Sequence, residues 1–253
     1  MRFVVELSYD GTRYHGWQVQ QNANSVQAEL NSAISKLLSH PVETIGCGRT
    51  DTGVHALQFF AHFDYHSPLP PKFVFRLNKI LPYDIAIHAA YKVSDEFNTR
   101  FDATYRLYEY HMHSKPDPFL VNRSYYRYGP LDYDAMNLAA QKLFDYIDFE
   151  CFSKTHTQVY TFNCKIMQAK WQKIHESRHV FTIQADRFLR NMVRAIVGSL
   201  IDVGSGKLTI QGFEAVIQSK KRTEAGFSAP AHGLYLKSIG YDYTLTPFEK
   251  IDE

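Results

Sequence analysis

Gly48-Arg49-Thr50-Asp51-Thr52-Gly53-Val54-His55-Ala56 runs without a break into Leu57-Gln58-Phe59-Phe60-Ala61-His62-Phe63-Asp64-Tyr65. The second half reads as a long strand. The first half is a glycine-flanked turn with a lone carboxylate beside a cation. Glycine reaches backbone angles closed to other residues and lets a ligand approach the main chain. Arg49 can neutralise, orient or probe whatever Asp51 meets. Taken alone, the turn reads as an Asx-type cap. Its surroundings decide otherwise.

Upstream, residues 2–9 alternate like a strand, Asp10-Gly11-Thr12 turns the chain, and residues 25–39 carry apolar side chains at helical spacing with Ser25 as N-cap and Pro41 beyond the end. Downstream, Pro68, Pro70 and Pro71 mark a loop into a helix near 71–80, followed by a strand over 84–97. The first hundred residues thus read as βαβαβ. The second half repeats the character: a strand over 104–113, a helix from an Asp132 cap to about Tyr146, and strands over 166–175 and 179–187 around Glu176-Ser177-Arg178. An apolar-basic helix over 189–203, a Thr209-capped helix to about Ser219 and a strand over 234–243 follow. Alternation is stronger than continuous apolar runs, which predicts an α+β fold with much antiparallel pairing. Residues 148–165 have no clear period and read as a functional loop; Glu249, Asp252 and Glu253 read as a solvated acidic tail.

The length of 253 residues suits one large domain or two packed subdomains. Aromatics reach 15%, with 18 Phe and 17 Tyr, an excess that serves a core or base stacking equally. The formal charge of +2 excludes a polybasic protein, so any nucleic-acid site must come from local clusters. Those clusters are Arg100 with Arg106, Arg123 with Arg127, Arg187 with Arg190 and Arg194, and Lys220-Lys221-Arg222. Cys47, Cys151 and Cys164 form no CxxC pair, and their odd number argues for a reducing compartment. Residues 1–6 read as a strand rather than a signal peptide, and no run approaches the ~18 apolar residues of a membrane helix. A cytoplasmic, membrane-free protein is expected. The 12 His include His111 with His113, and His62 with His66, each pair on one strand face. With no HExxH and no third ligand, they are expected to be structural, with no metal.

GxxxxGK[ST], GxGxxG, GxSxG and a Cys-His signature are all missing, so the chemistry needs no nucleotide cradle. What remains is Asp51, together with Arg190 and Arg194 placed four apart on one predicted helix face. Tyr14-His15-Gly16-Trp17-Gln18, with Gln20 and Gln21, reads either as a packed loop or as a surface that approaches a ligand.

These residues, taken in order, resemble the TruA family of tRNA pseudouridine synthases over nearly the whole chain. The matching pieces begin with Tyr14-His15-Gly16-Trp17-Gln18 with Gln20, Val26-Gln27 with Leu30, Gly48 to Asp51 with Gly53 to Ala56, and Arg76-Leu77-Asn78 with Leu81-Pro82. They continue with Phe97 to Phe101 and Ala103-Thr104, Tyr108-Glu109-Tyr110, Phe188 to Arg194 with Gly198, and Ala229 to Leu234. Three departures from the family pattern stand out: Thr52 where Ala is usual, Leu107 and Glu109 where many members are basic, and the acidic C-terminus.

The resemblance implies a pseudouridine synthase fold: two ferredoxin-like βα halves forming a continuous, mostly antiparallel sheet with flanking helices. Residues 1–103 would carry the Asp loop, 104–245 would complete the cleft, and 246–253 would be the acidic tail. It implies an isomerase with no cofactor and no metal, acting on uridines at positions 38, 39 and 40 in the anticodon stem-loop of tRNA, as a homodimer, with no DNA partner. Asp51 aligns with the catalytic carboxylate, Arg194 with its basic partner, Tyr108 with the aromatic that stacks on the target base, and Leu234 with an apolar wall. A carboxylate can serve as nucleophile or as charge stabiliser in glycosidic exchange, so Asp51 adds to the uracil ring or acts at the sugar carbon; the residues do not choose. A stem uridine is reached only after flipping, and Arg49 is placed to fill the vacated space. His55, Asn78 and Arg190 are expected at the substrate or as support behind it, as is Arg13. The contrasting expectation is a tRNA-binding or chaperone protein without turnover, which would have no need of Asp51. A nucleoside hydrolase would want a metal cluster or a second carboxylate.

Overall fold

The computed structural model describes residues 1–155, 159–242 and 244–250. In chain order the regular elements are β1 (Arg2–Tyr9), α1 (Val26–Leu38), β2 (Ile45–Gly46), β3 (His55–Asp64), α2 (Phe73–Ile80), β4 (Ile85–Val93), β5 (Ala103–His113), β6 (Tyr125–Tyr126), α3 (Tyr133–Gln141), β7 (Ile166–His175), β8 (Arg178–Ala185), α4 (Met192–Gly204), α5 (Ile210–Ser219), β9 (Leu234–Tyr241) and β10 (Pro247–Lys250). Among the described residues, five α-helices accompany ten strands that pair almost entirely antiparallel, as the alternation predicts. None of these helices is long and apolar enough to cross a membrane.

The chain divides into two compact units, residues 1–104 with 236–253, and residues 105–235. In the first, β1 lies between β3 and β4, antiparallel to both, with Val5 opposite Ala61 and Ala90. Val4, Val5 and Leu7 are buried, so this central strand is covered on both faces over part of its length. Ser25 caps α1 by accepting from the Ala28 N–H, and the helix stops at Ser39, which takes the left-handed conformation, before Pro41 is reached. Its buried stripe of Val26, Leu30, Ala33, Ile34 and Leu38 follows the 3.6-residue period. Trp17 stacks on Phe59 with centroids 4.1 Å apart, which places Trp17 and, beside it, the buried Tyr14 in the core while His15 and Gln18 stay exposed.

The second unit is built on β5, β8 and β7 in that order, with Tyr108 opposite Ile183 and Trp171 opposite Phe181. Trp171 packs between Phe181 and Tyr133 of α3, at 5.2 and 5.7 Å. Helix α4 is buried on nearly every face; Arg194 and Asp202 alone are part-exposed. Gly198 permits this, because a side chain there would collide with the Phe227 carbonyl, and Gly226 donates to the Ser199 hydroxyl at 2.9 Å.

Four sequence expectations change. Helix α4 begins after Asn191, whose φ of 69° breaks the helical path, so Arg190 lies outside it and shares no helix face with Arg194. Helix α3 tightens into a 3-10 turn at Lys142–Asp145. Within 148–165, Cys151 and Phe152 are buried in a short 3-10 turn and Asp148 bridges to Asn163, so residues 149 and 151–153 are core; residues 156–158 lie outside the described part. The acidic tail is the largest correction. The described residues from Leu236 to Lys250 group with the first unit, and β10 pairs with β4, while Asp252 and Glu253 lie outside the described part. The Glu249 carboxylate accepts from the N–H groups of Phe73 and Val74, each at 2.9 Å. Helix α2 has no cap from its own chain neighbour, Lys72. A carboxylate from the far end of the chain satisfies the exposed N–H groups and faces the positive end of the helix dipole.

Glu249→Ala should therefore cost about 1 kcal/mol of stability, read as a lower urea midpoint at unchanged slope.

Candidate active site

The turn that carries Asp51 is tied to its surroundings through its main chain. Trp17 N–H donates to the Thr50 carbonyl at 3.3 Å, and Gly53 N–H donates to the Tyr14 carbonyl at 3.3 Å, so the two loops clasp on either side of Asp51. Within the turn, Val54 N–H donates to the Asp51 carbonyl at 3.1 Å. The Tyr9 and Thr50 hydroxyls are 2.9 Å apart in the interior. Gly16, at φ 88°, lies so close to Thr50 that any Cβ would collide with its carbonyl oxygen. Gly53 has φ 77°, which explains one glycine of the motif; at Gly48 a Cβ would meet no protein atom within 4 Å. Asp51 is half-buried on this support and Arg49 is exposed.

His55 is buried at the start of β3. Its Nδ1 lies 3.1 Å from Gly11 N and 3.2 Å from Asp10 Oδ1. A bare Nδ1 accepts from Gly11, and a protonated one donates to Asp10; in both states the ring ties the 10–13 turn to the strand behind the Asp51 loop. Asp84 completes the support. It accepts from Arg13 Nε and from the Tyr14 hydroxyl, both at 2.6 Å. Burial raises the Asp84 pKa, but these two donors outweigh it and hold the carboxyl below its ordinary value. Nothing in the sequence around Tyr83-Asp84 marks this role. Asn78 is also structural: its amide donates to the Ile87 carbonyl and accepts from the Ile87 N–H, both at 2.8 Å, which fastens α2 to β4.

The second unit gathers the other expected residues. Tyr108 is half-buried on β5, with Phe188 edge-on to its ring at 5.1 Å. Arg194 donates through Nε to the Ala229 carbonyl at 2.6 Å, while Ala229 N–H donates back to the Arg194 carbonyl at 3.0 Å. The next carbonyl, Pro230, accepts from the buried Tyr110 hydroxyl at 2.9 Å. Gly233 packs where a side chain would run into Tyr110. Leu234 follows, buried at the start of β9. The guanidinium of Arg194 is thus aimed by a loop that is itself pinned to α4. Arg190 is exposed before the helix, where its carbonyl accepts from Lys154 N–H.

The basic clusters sort differently from expectation. Arg127 donates to the carbonyls of Tyr128, Gly129 and Pro130, and Arg222 to those of Ala225 and Gly226. Arg106 and Arg187 bond to the carbonyls of Asp186 and Thr161, and Lys220 pairs with Asp148 at 2.7 Å. Much of this charge holds loops rather than a ligand. The histidines are structural where buried: burial pushes the His62 pKa down to about 4 and lowers that of His113, and they bond to Thr99 and Ser124. Among the described residues no group of three or more His, Cys, Asp or Glu could hold a metal ion.

Gly16→Ala should cost about 2 kcal/mol or more, from left-handed strain and the Thr50 collision together, read as a lower melting temperature. Gly48→Ala should leave it within about 0.5 kcal/mol of the parent.

The sequence model of the tRNA pseudouridine synthase family matches residues 139–242, a stretch that begins beyond Asp51. Relatives cover the rest. The chain is 51% identical over 243 residues to tRNA pseudouridine synthase A of Bacteroides thetaiotaomicron, spanning 95% of this chain and 90% of that protein. It is 48% identical over 251 residues to the protein of the same name from Parabacteroides distasonis, spanning 98% and 99%. Against that of Porphyromonas gingivalis it is 48% identical over 244 residues, spanning 95% and 97%. Identity of this depth over nearly the full length of both chains means that this chain belongs to the tRNA pseudouridine synthase A family.

Proposed function

We propose that the protein isomerises uridine to pseudouridine at positions 38, 39 and 40 in the anticodon stem-loop of tRNA, with Asp51 as the catalytic carboxylate. The observation that supports this most is Asp51 itself, half-buried on a loop clasped from both sides by the 14–17 segment. A binding-only protein would have no use for a carboxylate held this way, and nothing favours the chaperone reading.

The reaction balances without oxidant, reductant or cofactor. The C1′–N1 bond breaks, the base turns, a C1′–C5 bond forms, the C5 proton leaves and N1 gains a proton. A positioned carboxylate serves in both routes, by adding to the uracil ring or by acting at the sugar carbon as the base departs. By resemblance, Arg194 supplies a fixed positive charge beside that carboxylate, Tyr108 stacks on the extruded base and Leu234 gives it an apolar wall. The geometry of the second unit supports such roles: Arg194 is aimed by Ala229, and Phe188 holds the Tyr108 ring edge-on. Arg49, exposed at the tip of the loop, fills the space left by the flipped base. His55 and Asn78 support the scaffold, and Arg190 contacts the RNA backbone. A cytoplasmic homodimer completes the reading, and sedimentation equilibrium checks the dimer.

The test is release of tritium from unmodified tRNA labelled at uridine C5, since C5 becomes the glycosidic carbon. The wild-type protein should release it, and Asp51→Ala should lower the rate by more than about 10,000-fold with tRNA binding retained. No release by the wild type would sink the synthase reading; release that survives Asp51→Ala would sink the role of Asp51. Arg49→Ala should slow turnover of full-length tRNA about 10-fold or more, because flipping costs a few kcal/mol. Unchanged binding and turnover would remove Arg49 from the flipping step.

A further inference from the structure

Helix α2 has a face that the fold leaves unused. At 100° per residue, Phe75, Arg76 and Lys79 share an arc of about 100° opposite the buried Phe73, Val74 and Leu77. All three are exposed, as is Lys72 at the N-cap. Phe75 is 58% exposed, with Lys79 Nζ 5.4 Å from its ring centroid. Tyr83, beyond the end of the helix, is 88% exposed, with the Arg13 guanidinium 4.8 Å from its centroid. Arg13 is also paired with Asp84, and the Glu249 carboxylate at the head of α2 accepts from the N–H groups of Phe73 and Val74.

We propose that this face docks the sugar-phosphate backbone and unstacked bases of the tRNA substrate, away from the uridine being modified. The inference rests on the synthase reading for the identity of the RNA. Three observations carry it. First, the chain is close to neutral, at +2, so attraction for a polyanion must come from local faces. Second, many other cations are committed inside the protein: Arg127, Arg194 and Arg222 to carbonyls, Arg2, Arg178 and Lys220 to carboxylates. Lys72, Arg76 and Lys79 have neither kind of partner among the described residues. A lysine over a phenylalanine one turn away is ordinary helix chemistry, but it does not account for Arg76, Lys72 or the open Tyr83 ring. Cations interleaved with open aromatic faces suit phosphates and unstacked bases together. Third, Tyr83 and Arg13, just beyond the end of α2, adjoin the Asp51 support. Arg13 precedes Tyr14, whose carbonyl holds Gly53 and whose hydroxyl shares Asp84 with Arg13.

The experiment compares the wild-type protein, a Lys72→Ala/Arg76→Ala/Lys79→Ala variant and a Phe75→Ala/Tyr83→Ala variant. Affinity for an unmodified tRNA transcript is measured by fluorescence anisotropy across a salt series, with melting temperature as the folding control. The triple variant should bind about 10-fold or more weakly, and its slope of log affinity against log salt should be shallower by about 2 to 3. The double variant should bind about 10-fold more weakly at an unchanged slope. In the tritium assay both should raise KM and leave kcat at saturating tRNA unchanged. Wild-type affinity and slope in the triple variant would overturn the proposal, whatever the turnover. Wild-type tRNA binding without tritium release would reject the synthase reading and leave this comparison intact. Failure of the wild type to bind tRNA would overturn both.

Discussion

Two backbone hydrogen bonds, Trp17 to Thr50 and Gly53 to Tyr14, set the shape of the loop that holds Asp51. They form because Gly16 has no side chain and tolerates φ of 88°, so the two loops can come into main-chain contact. The aromatic residues either side of that glycine are buried, and Trp17 stacks against Phe59 of the strand the loop feeds into. The carboxylate therefore projects from backbone anchored to the core. A group that must meet a transition state gains from such prior ordering, since little freedom is left to lose at the moment of reaction.

The second unit solves the same problem for a cation. Arg194 is one of two part-exposed residues on an otherwise buried helix. Gly198 and Gly226 let the 226–229 segment lie directly on α4, and the Ala229 carbonyl then aims the guanidinium. Small residues at contact points turn sequence into close approach, and close approach fixes the direction of a long, otherwise floppy side chain.

A nearly neutral protein that handles a polyanion must place its charge with care. Arg127 and Arg222 each satisfy loop carbonyls, so their charge serves architecture first. The cations of α2 have been left on the surface. The same helix takes its N-terminal cap from Glu249, so the strand that ends the described chain and the exposed basic face are parts of one structural solution.

The sequence by itself determined the element pattern and singled out the candidate residues for the chemistry. Alternation set the strands, the 3.6-residue period and the Ser25, Asp132 and Thr209 caps set the helices, because these signals act over a few residues. Asp51, Tyr108 and Arg194 stood out as candidates through motif, and Gly53 meets the motif's need for positive φ. Only the tertiary structure decided the partners. Asp84 as the anchor of Arg13 and Tyr14, Glu249 as the cap of a helix more than 170 positions away, Asn78 as a clamp on β4, and the break at Asn191 that parts Arg190 from Arg194 have no local signature. Hydrogen bonds across such separations depend on which strands become neighbours. That is settled by packing of the whole chain rather than by any window of it.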